Sequence, residues 1–352
     1  MATTYYCDPA GSDTAPYDTW AKAAQDPNTI EAIHVAGDIA YARGTFVGQW
    51  QWAASGTATT VPITWIGCAA DGTPYGGQFI VNRNSAGNFA IDMNNHDYRD
   101  THNVTAQNAD LHGWYMPGQS AYCLFEQCIG ENNGADGWFI SGRELGNFYL
   151  NCIARNNTSD GFFGIYLSRM FGCYSYNNTN EGFNIYGGAH IVHCGAYDND
   201  ADNIVVSATN TGIFNCFSHG SSAGSGVRFA AATYYTKIAG CAFTNNNQYG
   251  IEIPAGACQV HEDYNGFLDN GVADRLNCPT GRHSGTFTAS PYVNAAGGDF
   301  TTAATADFRR TLIPLSITDE TINRLYIAYG LIGPDAAAAG GGGLPMRIIP
   351  VG

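Results

Sequence analysis

Six cysteines, Cys128, Cys152, Cys173, Cys194, Cys216 and Cys241, follow one another at intervals of 24, 21, 21, 22 and 25 residues. Each stands near the start of one short phrase, as in YLNCIARNNTSDGFFG, MFGCYSYNNTNEGFNI and IAGCAFTNNNQYGIEI. A seventh copy upstream, NVTAQNADLHGWYM, has Val104 in the cysteine slot. A period in the low twenties, built from strand-like and turn-like pieces, restricts the chain to a solenoid.

Counted from the cysteine, an apolar residue stands three positions before it in all six phrases: Phe125, Tyr149, Met170, Ile191, Ile213 and Ile238. Two positions after it the residue is small (Gly130, Ala154, Ser175, Ala196, Ser218), with Phe243 as the exception. Asn-Asn fills positions four and five in four phrases: Asn132/Asn133, Asn156/Asn157, Asn177/Asn178 and Asn245/Asn246. The Val104 phrase has Asn108 at the first of these. Gly137, Gly161, Gly182 and Gly250 follow at position nine, and alternating apolar residues such as Trp138 and Ile140 come next. A period of two, broken by Asn and Gly, predicts short strands joined by tight turns. The interval is too short for the crossover helix of an ordinary parallel sheet. Each strand must therefore stack on its equivalent, about 4.8 Å above, and seven coils make a rod of about 34 Å.

This pattern resembles the right-handed parallel β-helix of the pectate-lyase-like superfamily, over residues 20–300. The resemblance implies an all-β solenoid with a ladder of buried asparagines at one turn, expected at Asn132, Asn156, Asn177 and Asn245 or their immediate neighbours; buried amides need such partners. The opening, TYYCDPAGSDTAPYDTWAKAAQ, is similar to the capping segment of many members, with a short helix near Thr19–Gln25. EDYNGFLDN and SPYVNAAGGDFTT are expected to be the last, irregular coils. The expected division is 1–50 for cap and lead-in, 51–313 for the helix, 314–332 for a C-terminal α-helix, and 333–352 for a glycine-rich linker and apolar tail. The whole also resembles phage spike and decoration proteins.

Composition fits tight turns: 44 glycines, and only 13% charged residues against about 25% in an average domain. With a net charge of −15 and no basic run, neither nucleic acid nor an anionic membrane is an expected partner. No apolar stretch approaches the roughly 20 residues that span a bilayer. The N-terminal MATTYYCDPAGSD has no basic segment and no apolar core, so it is not read as a secretory signal. The eleven cysteines are an odd number, and stacked thiols with parallel side chains are poorly placed for disulfides. They read as a reduced apolar ladder. There is no C-x-x-C motif to suggest zinc, and no cofactor is expected.

Position eight carries Asp136, Asp160, Glu181 and Asp202 in four successive coils, with Asp198 and Asp200 beside the last. Three readings follow. Asp before Gly builds turns, because Asp bonds nearby backbone and Gly supplies positive φ. Stacked carboxylates can hold calcium, with Asp198, Asp200 and Asp202 as candidates. Paired acids can also cleave glycans. The polygalacturonase-like branch carries Asn-Thr-Asp, Asp-Asp, Gly-His-Gly and Arg-Ile-Lys motifs, and none occurs here. With Lys22 and Lys237 the only lysines, a lyase would have to use arginine as its base, and Arg155 and Arg228 fall on the coils.

If the cysteine points inward, positions one and three after it point outward. There stand Tyr174 and Tyr176, Tyr197, then Phe217 and His219, suited to a subunit interface, to glycan contact, or to cover by the chain's own loops. The C-terminal segment SITDETINRLYIAYGLIG reads as a helix, with Ser316 as its cap and Ile322, Leu325, Tyr326 and Tyr329 on one face. After the linker come Leu344, Pro345, Met346, Arg347, Ile348, Ile349, Pro350 and Val351, an apolar end that can dock into a neighbour. The functional expectation is a structural or adhesive virion subunit, assembled in a host cytoplasm as a homo-oligomer or with other virion proteins. The alternatives are a polysaccharide lyase or hydrolase, and a bacterial glycan-binding surface protein.

Overall fold

Seven successive coils, from Tyr98 to Asn245, each turn three corners on residues in the left-handed region. The computed structural model describes residues 2–142, 145–230, 235–254 and 259–302. In the Cys128 coil the corners are Tyr122, Gln127 and Asn132, with φ of 56°, 54° and 55°. The same step of five residues recurs at Tyr98/Asn103/Asn108, Gly146/Asn151/Asn156, Leu167/Gly172/Asn177, Gly188/His193/Asp198, Asn210/Asn215/Gly220 and Tyr235/Gly240/Asn245. In these seven coils two sides of the triangle are therefore constant in length. Among these seven coils the variation in length falls on the third side, between the asparagine corner and the start of the next coil; the earlier coil at Ile63–Gly67 instead carries its extra residues, 68–78, between sheets A and B. Asparagine and glycine recur at the corners because they enter the left-handed region with the least strain.

The sides stack into three parallel sheets. Sheet A has 11 strands, from Thr4–Cys7 to Val260–Asp263; sheet B has 11, from Thr45–Val47 to Gly285–Thr286; sheet C has 10, from Trp50–Gln51 to Ala273–Leu276. The architecture is the expected all-β right-handed parallel β-helix, about 48 Å long at the usual strand spacing. In-register pairing turns each phrase position into a column. Phe125, Tyr149, Met170, Ile191, Ile213 and Ile238 form one inward column of sheet A. Trp114, Trp138, Phe162 and Phe183 form another in sheet C, the two indoles parallel at 4.4 Å. Each of these fully buried side chains contributes about 1.5–3 kcal/mol. The cysteine column is buried, and its thiols donate to carbonyls of the coil below, Cys152 to Phe125 O and Cys173 to Tyr149 O, both at 3.4 Å. The ten described cysteines are free thiols.

The asparagine pair divides its labour. Asn132, Asn156, Asn177 and Asn245 are the left-handed corner residues, while the second member of each pair builds the ladder. Asn133 Nδ2 donates to Asn157 Oδ1 (3.0 Å), Asn157 to Asn178 (2.9 Å), and Asn178 to Asn199 (2.9 Å). In the next coil Ser221 takes the slot, and Asn203 bridges the gap to Asn246 (3.1 Å). The position-nine glycines do not supply positive φ. They make room for the ladder: a Cβ on Gly137 would stand 2.7 Å from Asn157 Nδ2, and one on Gly182 2.7 Å from Asn199 Nδ2.

The ends differ from the sequence expectation. Residues 4–51 already contribute strands to all three sheets. The first helical pieces are a 3-10 turn at Trp20–Lys22 and an α-helix at Pro27–Glu31, because Asp26 caps Asn28 N and Pro27 cannot donate. Glu31 closes that end of the core, accepting from Arg99 (3.0 Å) and Trp50 (3.1 Å). At the other end buried Glu262 pairs with Arg275 at 2.9 Å. SPYVNAAGGDFTT does not form a coil; Tyr292–Asn294 and Asp299–Thr302 pair as an antiparallel hairpin. The helix expected at 314–332 and the tail Leu344–Val351 lie outside the described residues. Asn157→Gly should lose roughly 2–4 kcal/mol in urea unfolding, since it strands several buried groups, whereas Asn156→Gly should be near neutral.

Candidate functional site

The acidic column lies where sheet C begins, and its chemistry runs between coils. Asp136 Oδ1 accepts the Asp160 N–H (2.9 Å), Asp160 Oδ1 accepts that of Glu181 (3.2 Å), and Asp202 Oδ1 accepts that of Ser225 (2.7 Å). The acid at position eight is thus an intercoil clasp rather than a local turn-former. His112 Nδ1 lies 3.0 Å from Asp136, and the Arg228 guanidinium donates to Asp202. Burial pushes the Asp160 carboxyl up to about 8, helped by its hydrogen bond to Glu181 and by the charges of Glu181 and Asp136. Asp136, Asp160 and Asp202 are all buried, so this column offers a polymer little access. Asp198 and Asp200 are exposed and Asp200 binds Ser222, and among the described residues no three acidic, imidazole or thiol side chains converge as metal ligands.

The outward aromatics of sheet B are partly covered. Phe217 and His219 are buried beneath Phe300 and Tyr292 of the hairpin, Phe217 to Phe300 at 4.5 Å. Tyr174 and Tyr197 are half-buried at the edge of the same cluster. Tyr176 stacks on Tyr197 at 4.6 Å and accepts from Arg155 (3.0 Å), which also binds Glu131. The alternation located these outward positions, but it could not reveal a cover contributed from far along the chain.

The outer face of sheet A gathers groups that no single phrase displays. Read four positions before the cysteine slot, the column is Asp100, Leu124, Phe148, Arg169, His190, Gly212 and Lys237, followed in register by His261. Two positions before the slot it is His102, Glu126, Leu150, Phe171, Val192 and Phe214. One end is acidic. His102 Nδ1 meets Glu126 at 2.8 Å, and exposed Tyr75 stands edge-on to His102 at 5.5 Å. Burial pushes the Asp100 carboxyl up to about 6, with His102 opposing and Glu126 adding to the rise.

The other end is basic, within a chain of net charge −15. Between the ends, Phe148, Leu150, Arg169, Phe171, His190 and Val192 line a hollow. It opens where the links from sheet C to sheet A are shortest, Leu167–Ser168 and Gly188–Ala189; those at 117–123, 141–147 and 207–211 are longer. Arg169 reaches back to the carbonyls of Ser168 and Gly188, which fixes its guanidinium over the hollow's rim. Gly212 gives space to its neighbours, since a Cβ there would stand 2.4 Å from the Phe214 ring. Tyr235, 72% exposed, stands at the corner beside Lys237.

No family model and no curated protein matches the chain. Solved structures do. Pectate lyase Pel9A aligns with a TM-score of 0.60 at 16% identity, covering 87% of this chain and 90% of that one. A rhamnogalacturonan lyase aligns at 0.52 and 14% identity, covering 81% and 87%. The GH136 lacto-N-biosidase from Eubacterium ramulus aligns at 0.54 and 9% identity, covering 81% and 68%. At these identities the likeness establishes the fold alone. Within the acidic column, Arg228→Met should lower stability by about 1–3 kcal/mol at pH 8 by leaving Asp202 without its cation. Urea unfolding of the two proteins side by side measures the deficit.

Proposed function

We propose that this protein hydrolyses an anionic polysaccharide lying along sheet A, with Asp100 as general acid and Glu126 as general base. The observation that carries the reading is the outward column itself, an acid–base group at one end continuing through an apolar hollow into Arg169, His190, Lys237 and His261. Glycosidic hydrolysis needs one protonated and one ionised carboxyl. Asp100, lifted to about 6 by burial, keeps its proton in mildly acidic solution, where an ordinary aspartate has lost it. Glu126 is held against the imidazole of His102. Asp100 is opposite Leu124, two residues from Glu126 on the next strand, so strand geometry separates their Cα atoms by about 8 Å. Carboxyls carried on strands at that separation can be held apart with a water between them, the arrangement an inverting hydrolysis uses. Asp100 would protonate the glycosidic oxygen as its bond to C1 breaks. Glu126 would take a proton from the water that bonds to C1.

The basic column then serves as subsites. From Arg169 to Lys237 is three strands, about 14 Å, a run of several sugar rings. Exposed Tyr235 offers a ring face beside Lys237. The neighbours with this fold include proteins named as polysaccharide lyases and a glycosidase, which supports a carbohydrate substrate. The virion-subunit reading rests on the tail Leu344–Val351, outside the described residues, and on aromatics that the hairpin partly covers. The polysaccharide reading has its groups in view.

Reducing-end release from a panel of acidic polysaccharides should detect activity that falls as pH rises through about 6, where Asp100 loses its proton. Asp100→Asn should lower kcat by about 100-fold or more. Lys237→Ala should act chiefly on KM. Ultraviolet-absorbing unsaturated ends in place of simple reducing ends would instead assign an elimination to the Arg169–His190 side. Full activity in both Asp100→Asn and Glu126→Gln would sink the assignment.

A further inference from the structure

We propose that the hollow of sheet A receives the methyl of an acetyl group carried by the anionic polysaccharide, an inference that rests on the polymer lying along that sheet. Six outward side chains from three successive strands enclose the hollow: Phe148 and Leu150, Arg169 and Phe171, then His190 and Val192. Met170, between the middle pair, turns inward to the core, which leaves an interstice above its backbone. Leu150 and Val192 are only 4% and 5% exposed, so the walls stand close together. The room for the centre of a water-sized group is about 20 Å³. One such group needs about 10–15 Å³, so a methyl fits and a sugar ring does not. Water is a poor occupant, because it needs two or more polar partners and the lining is almost wholly apolar.

A methyl on a polysaccharide can belong to an esterified carboxyl, to a deoxygenated sugar carbon, or to an acetyl group. The basic groups beside the hollow decide among them. Arg169 and His190 hold one rim, and Lys237 and His261 continue their column beyond Gly212. Such a column suits ionised carboxylates, and a methyl ester would remove one. A deoxygenated carbon brings no hydrogen-bond acceptor with its methyl. An acetyl group leaves every carboxylate ionised and sets a carbonyl oxygen beside its methyl, toward the Arg169 guanidinium. The hollow centres three strands from Asp100, about 14 Å away. The acetylated sugar therefore sits a few rings from the bond to be cleaved, where it selects the polymer without touching the reaction.

The test is affinity electrophoresis of the full chain through polygalacturonate acetylated with acetic anhydride, and through the same polymer after mild alkali. The dissociation constant should be roughly three- to tenfold lower for the acetylated form, the gain from burying one methyl. Val192→Leu, which extends a wall into the hollow, should bring the two values together; if it does not fold, Leu150→Phe makes the same test. Hyaluronan supplies an amide-linked acetyl: retention by it that Val192→Leu weakens by a similar factor, with no preference between the first two gels, assigns the acetyl to nitrogen. Asp100→Asn should keep the wild-type pattern, so binding without cleavage would sink the hydrolysis and leave this inference standing. Equal retention by both polygalacturonates, with hyaluronan binding unmoved by Val192→Leu, overturns the inference even in a protein that hydrolyses polysaccharide. So does a preference for the acetylated form that survives both substitutions.

Discussion

Through seven successive coils this chain places a residue at positive φ three times per turn, and most of the molecule follows from that repetition. Side chains with a Cβ resist the left-handed region, by roughly 1–2 kcal/mol per residue. The sequence meets the demand with asparagine and glycine at many corners, and with Tyr122, Leu167 or His193 at others. Because the corners fall in register, the strands between them do too, and each position becomes a column one residue wide. Columns explain why like stacks on like: indole on indole, thiol above thiol, amide on amide.

The columns also set the chemistry. On an isolated strand, Arg169, His190 or Lys237 is an ordinary surface residue. Stacked at strand spacing, they become a line of basic groups whose pitch can follow a polymer. The acidic column shows the opposite use of the same geometry: turned inward at a corner, carboxylates hold the backbone of the next coil and are largely lost to solvent. Exposure, more than residue type, separates the two.

Much of the fold was legible because the cysteine recurs every 21 to 25 residues and an apolar residue stands three positions before it in all six cysteine phrases. The roles within the Asn-Asn pair were not legible, since one residue type serves both the left-handed corner and the ladder. Position-nine glycine misled for a related reason: sequence reveals that a Cβ is absent, but not whether conformation or a neighbour's amide forbids it. The sheet A site was missed because its signal runs across phrases. The columns four and two positions before the slot, read downward from Asp100 and His102, carry it together. The cover over Phe217 and His219 comes from residues 292–300, a distance that local alternation does not sense.

The constancy of two sides of the triangle has a consequence for how such a chain can change. An insertion between Gly146 and Asn151 would displace a corner and shift every column beyond it. Added residues between sheet C and sheet A leave both neighbouring corners in place, and the existing coils already differ there. That same link borders the groove. Lineages of this fold can therefore remodel the rim around a bound polymer, coil by coil, while the rod beneath keeps its pitch; recognition and scaffold are free to evolve at different rates.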